Sequence, residues 1–96
     1  MQVCRFKFNK SIEREVIEWH VAQSILASEG VFGQAKVRLN AAYLASDNKV
    51  VIDVSSPVGE HIAEVFTWRM TKEFGEDSFT VERIRNESQS GSKENL

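Results

Sequence analysis

Apolar residues recur along this chain with a period that keeps changing, and the order of the changes restricts the fold more than any motif does. Residues 2–8 alternate with period two, residues 11–29 repeat near 3.6, and residues 34–45 and 49–55 alternate again around Ser46-Asp47-Asn48. Residues 57–74 return to 3.6, and residues 79–86 alternate once more. Period two is the signature of a strand with one buried face, and 3.6 that of an amphipathic helix. The succession therefore reads β-α-β-β-α-β, the split βαβ or ferredoxin-like order. It predicts an α+β domain of two layers: a four-stranded antiparallel sheet in spatial order 4-1-3-2, with two helices on one face. The other face of such a sheet is bare, and a bare face must meet something.

Punctuation supports these elements. Ser11 before Ile12, with Glu13 and Glu15 in the first turn, marks a helix start, and Gly30 fits its stop. Ser56 followed by Pro57 is the clearest boundary in the chain, a hydroxyl cap with proline at the first helical position, and Gly75 closes that helix. Ser46-Asp47-Asn48 predicts a hairpin. In the last strand Ile84 falls on the opposite parity from Phe79 and Val81, which a bulge near Glu82 would reconcile. Residues 1–86 form the expected domain; residues 87–96, almost wholly polar, form an expected disordered tail.

Helical projection separates the surfaces. In the first helix Ile12, Val16, Trp19, Ala22 and Leu26 form the stripe expected on the sheet. Ile17, Val21 and Ile25 form a second stripe, expected as a subunit contact because one sheet does not cover both. On the second helix, Val58, Ile62, Val65, Phe66, Met70 and Phe74 face the core, while Trp68 and His61 lie on the polar side and join the expected interface. Charge is uneven although the total is −2: the strand segments hold seven cations against two carboxylates, the helical segments three against seven. Arg5, Lys7, Lys36 and Arg38 are the candidate anion-binding set on a basic open sheet.

The chemistry is sparse. Cys4, His20 and His61 are too scattered for a metal site, and Gly30-Val31-Phe32-Gly33 lacks the lysine and hydroxyl of a phosphate loop. No outward aromatic stands on the first or third strand to stack a base. No nucleophile–base–orienter set can be assembled, so no catalytic residue and no cofactor is assigned. A lone cysteine fits a reducing compartment, and no apolar run is long enough to span a membrane, so a cytoplasmic protein is expected. The function expected is that of a non-catalytic homodimerising interaction module. The alternatives are a small-molecule site or enzyme with a pocket between sheet and helices or at a dimer seam, and backbone-level nucleic-acid binding by the basic sheet.

Overall fold

The computed structural model describes residues 1–85; the expected tail lies outside the described residues. The elements are β1 (Gln2–Phe8), α1 (Arg14–Phe32), α2 (Gln34–Asn40), β2 (Tyr43–Ser46), β3 (Lys49–Asp53), α3 (Pro57–Phe74), a 3-10 turn (Glu76–Ser78) and β4 (Phe79–Arg85). The fold is mixed α+β, an open four-stranded antiparallel sheet with three helices. The sheet runs β2-β3-β1-β4, which from its opposite edge is β4-β1-β3-β2.

Register decides which side chains enter the core. Cys4 pairs with Ile52 and Arg83, Phe6 with Val50 and Val81, and Phe8 with Phe79, so these share one face. That face joins Ile17, Val21, Val37, Val58, Ile62, Phe66 and Met70 in a single core, which places the three helices on one side of the sheet. The Phe6 ring meets Phe66 edge-on at 4.9 Å, and burying each such side chain contributes roughly 2–3 kcal/mol.

Five expectations need correction. Residues 34–40 are helical, not extended. Gln34, Ala35, Lys36, Arg38 and Leu39 are good helix formers, only Val37 of the segment is buried, and Leu39 is 84% exposed. An accidental alternation there imitated a strand. Gly33, at φ 91°, takes the left-handed turn that ends α1 and starts α2, the role expected of Gly30. The first helix also starts later than Ser11 implies, because Ile12 is plugged into the core and its N–H donates to Asn48 Oδ1 at 2.8 Å; Glu13 caps the helix without a side-chain bond. The β1–β4 register is unbroken from Gln2↔Arg85 to Phe8↔Phe79, so no bulge interrupts it, and Arg83 and Arg85 belong to the helix side.

The fifth correction concerns the stripes of α1. Ile17 and Val21 are fully buried and Ile25 packs against them, whereas Val16, Trp19 and Leu26 are exposed. The stripe assigned to a partner is the one that packs inward. The boundaries of α3 and of the hairpin stand as read. Ser56 Oγ accepts from Gly59 N–H at 3.1 Å, Pro57 opens α3, and Gly75 at φ 92° closes it. The hairpin turns through Asp47 and Asn48, with Asn48 at φ 62°.

Candidate functional site

The expected site residues are scattered. Ile17 and Val21 belong to the core, and Ile25 to its margin. Trp68 stands 61% exposed on α3, and His61, one helical turn from its start, is half-buried. Of the expected anion-binding set, Arg5 and Lys7 lie on the open sheet face while Lys36 and Arg38 ride on α2. Arg5 is engaged by Glu82, its Nε–H donating at 3.0 Å, and this bond, with the opposed charges, holds the Glu82 carboxyl below its ordinary range. Arg83 turns to the helix layer and grips Glu60 through two bonds of 2.7 and 3.2 Å, which lowers the Glu60 pKa and raises its own. The basic sheet expected from the sequence is therefore reduced to Arg5, Lys7 and Lys49 against Asp53 and Glu82.

What remains on the open face is a diagonal of apolar side chains. Leu44 on β2 stands opposite Val51 on β3, and Val3 on β1 opposite Ile84 on β4. Met1, Val3, Leu44 and Val51 border one shallow depression, with Leu44 75% and Met1 67% exposed. Val3 and Val51 were legible as outward residues from parity. Leu44 shares the outward parity of Lys36, Arg38 and Asn40 and was open to the same rule, but it was not singled out.

The seam between α1 and α3 is built differently. His20, Ser24 and Ser28, at i, i+4 and i+8, are buried along it. Ser24 Oγ donates to the His20 carbonyl at 2.8 Å and Ser28 Oγ reaches the Ser24 carbonyl at 3.0 Å. His20 Nδ1 accepts from Arg69 Nε–H at 3.2 Å. The Arg69 guanidinium lies 5.1 Å from the centre of the Trp19 ring, and Lys72 Nζ 5.7 Å from that of Trp68. Burial, reinforced by Arg69 and opposed by Glu73, lowers the His20 pKa from its ordinary 6.5. Burial likewise pushes the Cys4 thiol up, making it a poor nucleophile.

A groove of about 560 Å³ opens at the start of α3, bordered by Phe32, Val54, Glu60, His61 and Glu64 among others. Here His61 Nδ1 and Ser28 Oγ lie 2.7 Å apart. Their separation suits a nucleophile and base, but Ser28 is wholly buried and its hydroxyl is shared with the Ser24 carbonyl, so no substrate reaches it. Among the described residues no three His, Cys, Asp or Glu side chains converge to hold a metal ion, and no helix is long and apolar enough to cross a membrane. No family model matches the chain, and no curated protein does.

Proposed function

We propose that this protein is a non-catalytic interaction module that pairs with a second copy of itself through the open face of its sheet. The carrying observation is the diagonal Leu44–Val51–Val3–Ile84, which runs across all four strands with Met1 beside it and nothing laid over it among the described residues. The domain is read as a split βαβ unit augmented by α2, so the contact belongs to the layer that the helices leave free. Charge permits a like partner: Arg5, Lys7 and Lys49 share the face with Asp53 and Glu82, and a surface of both signs and small net charge meets its own copy with little net repulsion. Strand spacing and rise give the face on the order of 450 Å² per copy, below the range of stable specific interfaces and within that of weak, transient ones. The pairing is accordingly weak, in the micromolar range.

Sedimentation velocity over a concentration series tests this. The wild type is expected to shift from monomer to dimer across the micromolar range, and Leu44→Glu to stay monomeric with an unchanged melting curve. A wild type that is monomeric throughout, or a Leu44→Glu variant that pairs as well as the wild type, would refute the reading. Nucleic-acid binding has less support, since Arg5 and Arg83 are engaged by carboxylates and Lys36 and Arg38 sit on a separate helix.

A further inference from the structure

On the opposite side of the molecule, His20 is only 5% exposed. Because Nδ1 accepts from Arg69, the ring proton resides on Nε2. Among the described residues nothing accepts from that Nε2–H. Buried donors are rarely left in this condition in a folded protein.

His20 also borders a small cavity of about 140 Å³, together with Trp68, Arg69, Lys72 and Glu73. Among the described residues neither Arg69 nor Lys72 is held by a carboxylate. Each lies over a tryptophan ring instead, a contact that a stronger partner displaces. Three donors thus converge around one small space, two of them charged, with Glu73 as the opposing carboxylate of the lining.

From this geometry we propose that the outer end of the α1–α3 seam binds a ligand carrying an anionic head group on a flat apolar body. The head group takes the His20 Nε2–H, the Arg69 guanidinium and the Lys72 ammonium. Size fixes the division of labour, since ligand pockets for a whole organic molecule run from roughly 300 Å³ upward. A space of about 140 Å³ admits a carboxylate or a phosphate and little more. The remainder of the ligand lies outside, against Trp19 and Trp68, which are 55% and 61% exposed.

The two tryptophans at this site are the chain's full complement, so intrinsic fluorescence reports on it directly. Phenyl phosphate and benzoate are the probes, with phenol and inorganic phosphate as the controls lacking charge and ring. Saturable quenching by at least one of the two probes is expected, with displacement of the His20 imidazole signals in NMR, and comparing the two tells which head group is preferred. Phenol should not bind, and inorganic phosphate should bind roughly tenfold or more weakly than phenyl phosphate. Arg69→Gln and Lys72→Gln should each weaken binding by roughly tenfold; Lys72 is exposed, so its variant keeps the fold, as a melting curve verifies. The proposal is overturned if neither probe moves the fluorescence or the His20 signals. It is equally overturned if phenol binds as well as the charged probes, if inorganic phosphate matches phenyl phosphate, or if both variants bind like the wild type.

Discussion

The helices α1 and α3 lie side by side on the same sheet, yet they meet their surroundings by different means. α3 has one broad apolar face, and Val58, Ile62, Phe66 and Met70 along it are all buried. α1 buries two adjoining strips of different chemistry: Ile17 and Val21 toward the core, then His20, Ser24 and Ser28 toward α3. Serines suit that second strip because their hydroxyls are satisfied by their own helix, leaving a small cross-section for the neighbour to approach. The comparison teaches that a helix caught between a sheet and another helix is not oriented by hydrophobicity alone. Small self-satisfied polar residues mark its buried side as surely as leucine does.

The sharpest way to break the comparison is at a glycine in each helix. A Cβ on Gly59 in α3 would lie 1.9 Å from the carbonyl oxygen of Asp53. Backbone does not yield as a side chain would, so Gly59→Ala is expected to destabilise the protein by about 3 kcal/mol or more. On Gly30, inside α1, a Cβ would meet nothing within 4 Å. Gly30→Ala should therefore stabilise by about 0.5–1 kcal/mol through the ordinary helix preference for alanine. Urea denaturation measures both. Equal effects at the two sites would mean that α3 does not press on the end of β3 as described.

A smaller effect tests which strip of α1 faces inward. Ile17→Val removes one methylene from a fully buried position and should cost about 1 kcal/mol. Leu26→Ala removes more, but from a side chain that is 60% exposed, and should change stability by less than about 0.5 kcal/mol. The reverse ranking in thermal or urea unfolding would return Val16, Trp19, Ala22 and Leu26 to the sheet, as the sequence led one to expect.

That contrast also shows what was legible in the sequence. α3 was readable because its signals agree: Ser56 and Pro57 start it, Gly75 stops it, and one face is apolar. α1 offered two apolar stripes of similar weight. The deciding signal was present in its polar residues, since Glu15 projects between Ala22 and Leu26 while Ser24 and Ser28 flank Ile17 and Val21. Residues 34–40 were misread for another reason. With Val37 the one buried residue, the segment carries no helical stripe, and its alternation has no physical cause in the fold. The open sheet face was half legible: parity exposed Val3, Val51, Arg5 and Lys7, but only the three-dimensional register shows that Glu82 takes Arg5 and that Arg83 leaves for Glu60. The site at His20 was not readable, because it joins residues of two helices and the side of α1 that faces α3 was left undecided.

The gentlest probe of the α1–α3 seam is pH. His20 faces Arg69, Lys72 and Glu73 on α3, with the Trp19 and Phe74 rings against it. Burial first, and Arg69 second, lower its pKa in the fold. Neutral imidazole is therefore the form that the folded state prefers, and the unfolded chain takes up the proton first as pH falls. Stability from this group is fully present above its ordinary pKa of 6.5 and declines as pH drops below that value. Two things fail together on protonation: the Nδ1 lone pair that accepts from Arg69 is lost, and a cation is set beside a guanidinium. The control is His20→Leu, which removes this one imidazole and keeps every other titratable group. Urea midpoints between pH 7.5 and pH 5 should fall more steeply for the wild type than for the variant. If the two curves run parallel, His20 carries no linked proton, and the polar strip of α1 serves packing alone, as the apolar face of α3 does.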